Sequence, residues 1–249
     1  MESSDGYLEP IGLISSDRFV GKKVGFKRPT AVGERMRRRE TVVHGRFRSF
    51  EQDTIAVVKG AEVIGGVWKE GGESLVAEYN LPFGETTIVA VDGEHVLVGE
   101  TSQSQVVVYS QGGQAVASLR WGSQRDKVTD DDRRRMIARE STAMTAVPGT
   151  RLEEIQSYVE SWRSIGSSTT HQSFTGILVA DDGSVWVEFG QRPWLPERSF
   201  LVFGANRAMA ALLTVPRSFR PCQADSTAVV GIWREEGGAD EVRQYAIVR

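Results

Sequence analysis

The residues of this chain best suited to chemistry are few: three histidines, a single cysteine, and a tryptophan two positions beyond an arginine. His44, His95 and His171 show no ligand spacing such as H-x-x-x-H, which would set two imidazoles on one helix face for a metal ion. His44 and His95 fall in strand-like segments, where a histidine more commonly satisfies its hydrogen bonds within the structure. His171 follows a polar stretch and is a candidate for ligand binding. Arg192 and Trp194 flank Pro193 on what reads as an exposed loop, where an indole beside a guanidinium stacks on a planar or sugar ligand. The competing reading is that Trp194, set between Pro193 and Leu195-Pro196, only packs beneath neighbouring structure. Glu100 supplies a candidate carboxylate. Cys222, which follows Pro221, reads as inert, and a lone cysteine forms no internal disulfide.

Two charged stretches have both a functional and a plain reading. Asp130, Asp131 and Asp132 suggest a cation, but they lack the spaced D-x-D-x-D-G pattern of a calcium loop. They read better as acids in the first turn of a helix, where the dipole favours negative charge, with Thr129 as N-cap. Residues 22–39 hold eight basic side chains against Glu34, a local charge of +7 that would attract phosphate or nucleic acid without sequence preference. Without interleaved aromatics this stretch reads as a solvated loop between strands. The chain contains no G-x-x-x-x-G-K-[ST], H-E-x-x-H or G-x-S-x-G motif.

The elements that must position these residues are mostly strands. Residues 87–91, 95–99, 106–109 and 115–121 are short apolar runs, separated by Asp92-Gly93-Glu94, a polar segment and Gly112-Gly113. They predict a four-stranded antiparallel meander. The unit recurs at 177–180, 185–189, 199–203 and 210–215, with VDGEHVLVGE matching ADDGSVWVEF and Gly112 matching Asn206 at the left-handed turn position. One sheet per sequence repeat is the pattern of a propeller blade. Residues 11–20 predict a hairpin about Ser16-Asp17, with 41–47 and 54–59 as outer strands. The C-terminal unit shows three strands, including 228–234 and 242–248 about a turn at Glu236-Gly237-Gly238. An echo of GVWKEGG (66–72) in GIWREEGG (231–238) marks either an extra hairpin or a decoration. Trp68, Trp121, Trp186 and Trp233 are expected to fill the space between adjacent sheets.

Between 122 and 173 the pattern turns helical. One helix follows Thr129, with Met136 and Ile137 facing inward. A second begins at Thr150, with Glu153 as its capping-box partner and Leu152, Ile155, Val159 and Trp162 as its apolar stripe. Pro148-Gly149 separates the two, and 164–170 is a polar loop.

The composition agrees with a folded β protein. Apolar residues make up 40% of the chain, charged residues 25%, and the formal net charge is −3, which excludes general disorder, collagen and coiled coil. The balance also argues against a dedicated nucleic-acid binder. The longest apolar runs, such as 55–58 and 177–180, are too short to span a membrane.

The segments DTIAVV, LPFGET, VVVYSQGG, LRWGSQRDKVTDDD, FTGILVADDGSVWVEF and VVGIWREEGGADEVRQYAIVR, in that order, resemble a group of bacterial six-bladed β-propellers. These are distant relatives of the NHL-repeat and gluconolactonase-like propellers. The resemblance implies an all-β, six-bladed-type propeller in a single domain over 1–249, with four to five blades present. Blade-like units fall at about 8–60, 87–121, 174–215 and 219–249, and a two-helix insertion at about 122–173 caps one face. Typical members are longer and carry a leader, so the resemblance implies a periplasmic or secreted protein shortened at its N-terminus. The present N-terminus has no signal peptide, which would place the chain in the cytoplasm if that start is genuine.

Members mostly lack an assigned activity. The expectation is therefore a non-catalytic binding protein for a protein, peptide or glycan, with no cofactor, using His171, Arg192, Trp194 and Glu100 on the capped face. The alternative is a lactonase- or esterase-type hydrolase with a divalent metal such as calcium in the channel. A third possibility is a structural fragment completed by blades from elsewhere.

Overall fold

The computed structural model describes residues 6–49, 51–70, 73–122, 124–145, 152–189, 192–234 and 239–247. Its strands form four antiparallel sheets, each a meander in which sequence neighbours are also hydrogen-bonded neighbours. The first contains β1 (Gly6–Ser15), β2 (Arg18–Gly25), β3 (Arg35–Arg46), β4 (Gln52–Glu70) and β5 (Glu73–Asn80). The second contains β6 (Thr87–Asp92), β7 (His95–Glu100), β8 (Gln105–Ser110) and β9 (Ala115–Arg120). The third contains β10 (Phe174–Val179), β11 (Val185–Phe189), β12 (Glu197–Phe203) and β13 (Met209–Pro216). The fourth contains β14 (Phe219–Ala224), β15 (Ala228–Arg234) and β16 (Asp240–Ala246). Between the second and third sheets lie α1 (Asp130–Thr145) and α2 (Leu152–Ser164).

The second and third sheets follow the repeat in the sequence. Gly93 (φ 49°) and Gly183 (φ 76°) make the left-handed turns between their first two strands, a conformation that glycine enters without steric cost. The outer turns differ from expectation by one residue. The left-handed positions are Gly113 (φ 75°) and Arg207 (φ 65°), not Gly112 and Asn206. Asn206 instead uses its side-chain oxygen to accept the Ala208 N–H at 3.0 Å, which closes the turn and passes the positive φ to Arg207. Arg207 is held there by its ion pair with Asp92 of the neighbouring sheet.

The first unit is larger than the sequence suggested, running to Asn80 rather than to about residue 60. Arg35, Arg37, Arg38 and Arg39 lie in β3, and Lys22 and Lys23 in β2, so much of the basic stretch is strand rather than loop. Its charges are partly neutralised within the fold: Lys22 meets Glu9 and Glu40, Arg37 meets Glu85, and Arg38 meets Glu78. Arg37 pairs with Glu62 but Arg39 pairs with Lys59, which leaves Gly60 and Ala61 unmatched in β4. A side chain at Gly60 would collide with Glu40, so glycine permits this bulge. Beyond it, β4 and β5 form the hairpin that contains GVWKEGG, and GIWREEGG begins the β15–β16 hairpin. The echo therefore marks two real hairpins, the first of which extends a sheet. Their turn residues at 71–72 and 235–238, and Val248, lie outside the described residues.

Apolar side chains on both faces of the middle sheets make the core. Val96 and Val98 face the first sheet with Val20, Val42 and Ile55, whereas Leu97 between them faces the third sheet with Phe174 and Val187. A strand buried on both faces has no polar face, which explains the uninterrupted runs VLV and VWV. Trp186 faces the opposite way to its neighbours Val185 and Val187, packing with Phe200 and Phe219 toward the fourth sheet. Each such burial contributes about 1.5–3 kcal/mol. Trp121 and Trp233 also pack between sheets, as expected. Trp68 is half-buried on the β4–β5 hairpin and, among the described residues, joins none of the core clusters. The first strands of successive sheets are neighbours: β6 lies against β1 and β10, and β10 lies against β14.

Helix α2 packs on β4 and on α1. Trp162 and the following Ile165 join Ile64, Tyr79 and Leu81 in a core cluster, with Met136 and Ile137 of α1 packed against it as expected. Leu152, expected in the buried stripe, is 68% exposed because the packed end of the helix is its C-terminal turn. Thr150 and Pro148-Gly149 lie outside the described residues.

Candidate functional site

The helical insertion is clamped where it leaves and rejoins the sheets. Lys127 bridges Thr170, the Val128 N–H donates to the Thr169 carbonyl at 3.0 Å, and the His171 N–H donates to the Asp126 carbonyl at 2.9 Å. The Arg125 Nε donates to the His171 carbonyl at 2.7 Å. His171, three residues before β10, is thus fixed in its backbone by residues that precede α1. Its side chain is fixed by α1 itself: Nε2 lies 3.2 Å from Asp132 Oδ2. The Phe83 ring meets the imidazole edge-on at 4.8 Å.

Asp132 gains its place from helix capping. Thr129 is the N-cap, and the Asp132 N–H donates to its hydroxyl oxygen at 3.1 Å. In return, Asp132 Oδ2 accepts the Thr129 N–H at 2.8 Å and its hydroxyl at 2.7 Å, which completes a capping box. Burial alone would raise the pKa of this carboxyl. The hydrogen bonds from Thr129 and the contact with His171 outweigh it and hold the group below the ordinary carboxylate value. Asp131, by contrast, is exposed and paired with Arg134 and Arg135.

Arg192 joins the same cluster from the turn before β12. Its Nη2 lies 3.4 Å from Asp126 Oδ2 and its Nε 3.6 Å from Asp132 Oδ1. Trp194, on the same turn, is half-buried and meets the Phe83 ring edge-on at 6.2 Å. Phe83 has φ 58°, a conformation costly for a bulky residue, and its ring sits against both His171 and Trp194. Such backbone strain tends to cluster at functional sites. Gln191 lies outside the described residues.

The structure therefore brings together three of the four expected site residues: His171, Arg192 and, through Phe83, Trp194. Glu100 stands apart at the end of β7, its carboxylate 3.9 Å from Arg37 Nη1. Arg37 and Arg125 each pair with Glu85 at 2.9 Å, so Glu100 reaches the cluster only through that chain of charges. Arg125, Glu85 and Phe83 were not expected at the site, and Asp132 was expected only as a first-turn acid of the helix. Only Asp132 left a signal, the T-x-x-D spacing from Thr129.

His171 and Gln172 line two adjoining clefts. The larger, about 630 Å³, is lined by the polar Arg120, Arg125, Asp126 and Arg192 and by Trp121, Phe189, Leu201 and Met209. The smaller, about 340 Å³, lies by Phe83, Glu85 and Met136. Among the described residues, no three His, Cys, Asp or Glu side chains converge to hold a metal ion, and no helix is long and apolar enough to cross a membrane. Cys222 is an exposed free thiol away from this cluster. No protein-family model matches the chain, and no curated protein matches it significantly.

Proposed function

We propose that this chain is a non-catalytic binding protein of the β-propeller type, whose ligand enters the larger cleft beside His171 and Arg192. The propeller reading draws support from four successive up-and-down sheets packed face to face, with the first strand of each beside that of the next. The observation that carries the binding reading is the convergence of His171, Arg125 and Arg192 on one concave surface, fixed by Asp126 and Asp132. These side chains come from separate segments, and their positions are set before any ligand arrives, which lowers the ordering cost of binding.

The metal-dependent hydrolase reading needs at least three converging O or N ligands, and the described residues give it no support. The test is to probe peptide and glycan arrays with the wild-type chain, Arg192→Ala, and Lys23→Ala on the distant first sheet. A ligand retained by wild type and Lys23→Ala, and lost by Arg192→Ala with an unchanged melt, fits the proposal. Binding that survives Arg192→Ala and fails in Lys23→Ala overturns it.

A further inference from the structure

The larger cleft has both charged and apolar residues in its lining, and two donors of its lining residues lack acceptors. Arg120 at the end of β9 is exposed and has no acidic partner among the described residues. Arg125 uses Nε on the His171 carbonyl and Nη1 on Glu85, but its Nη2 is buried with no hydrogen-bond partner. The Trp121 Nε1 is likewise buried without a partner. Both residues line the cleft. An unmade hydrogen bond at a buried donor costs about 1–3 kcal/mol, more at a charged group. The same cleft is lined by the half-buried Phe189 and Leu201 and the 63% exposed Met209. The cleft thus combines surplus donors and positive charge with partly exposed apolar surface.

We infer that the cleft takes an amphipathic organic anion, with an oxyanion head at Arg120, Arg125 and Trp121 and an apolar body against Phe189, Leu201 and Met209. The inference rests on the reading that this cleft is the binding site, and adds the chemical class of its occupant. An oxyanion supplies the acceptors that the two orphan donors lack, and a charge-assisted hydrogen bond to a guanidinium is about twice as strong as a neutral one. Acetate alone would leave the apolar lining without a ligand contact, and a neutral aromatic would leave Arg120 without a counter-charge.

The test is a calorimetric titration of the full chain with 1-naphthoate, its neutral analogue 1-naphthalenemethanol, and acetate. Naphthoate is expected to bind about tenfold or more tightly than either comparison compound, a ratio equivalent to ~1.4 kcal/mol. Arg120→Ala, at an exposed position, is expected to remove most of the naphthoate preference and leave the melt unchanged. Arg125→Gln should do the same, and its melt shows whether it folds. Equal binding of naphthoate and the alcohol, both weakened by Met209→Ser, overturns the anion inference and leaves the cleft as the site. Binding of naphthoate unaffected by both Arg120→Ala and Met209→Ser, or no binding of any compound, overturns the inference and the site assignment together.

Discussion

Replacing Asp132 by asparagine tests whether helix capping and site assembly are the same event. The substitution preserves shape and removes the charge. Asp132 Oδ2 accepts two hydrogen bonds from Thr129 and faces the His171 Nε2, while Oδ1 lies 3.6 Å from the Arg192 Nε. Converting charge-assisted hydrogen bonds to neutral ones costs about 1 kcal/mol each, and loss of an acid at a helix N-terminus about 0.3–1 kcal/mol. The expected total is about 2–3 kcal/mol, or roughly 4–12 °C in Tm for a chain of this size.

The loss should depend on pH. The folded-state pKa of Asp132 is depressed, so its contribution is fully present above the unfolded carboxylate value of about 3.9 and is lost as pH falls through the folded value. Urea titrations of wild type and Asp132→Asn should therefore show a full stability gap at pH 7 and pH 5, closing below about pH 4. A gap of the same size at pH 3 as at pH 7 would show that shape rather than charge matters. No gap at pH 7 would show that the capping box does not hold the insertion.

Other outcomes follow from the packing. Gly99→Ala places a methyl group 2.6 Å from Phe174 Cζ in the core between the second and third sheets, and urea midpoints should report a loss of about 1–3 kcal/mol. Trp186→Ala, at a side chain 1% exposed, should cost about 3–5 kcal/mol, whereas Trp194→Ala on the half-buried site turn should cost under about 1 kcal/mol. Comparable losses at both positions would make Trp194 a core residue. Leu152→Ala should leave the melt within about 0.5 kcal/mol of wild type, while Trp162→Ala should destabilise strongly.

The β-strands were legible where local chemistry dictates them. Alternation and Asp-Gly turns mark β6, β7, β10 and β11, because each signal lies within a few residues. Strand β5 escaped, since ESLVAEYN is mostly exposed and its partner strand runs through the unforeseen bulge at Gly60. The shift of the left-handed turn from Asn206 to Arg207 depends on a side-chain hydrogen bond and on Asp92 from another sheet, neither of which a local pattern shows.

His171 and Arg192 stood out by residue type and by the loops they occupy. Their partners did not, because Asp132 lies 39 residues before His171 and Arg125 lies 46 residues before it. The three adjacent aspartates look alike in sequence. Only the third turns inward, because only it stands three residues from Thr129. Glu100 was chosen for its place at the end of a strand, and the register of that strand directs it to Arg37 instead.

The central claim is that the larger cleft between Arg120, His171 and Arg192 is where this protein binds. Crystals soaked with a chemically diverse fragment library test it most directly, since they locate binding whatever the natural ligand is. The account predicts that bound fragments concentrate in that cleft, with acidic fragments contacting Arg120 and Arg125. Fragments concentrated instead in the apolar groove of the first sheet, lined by Leu8, Phe19 and Phe47, with the larger cleft empty, would contradict it.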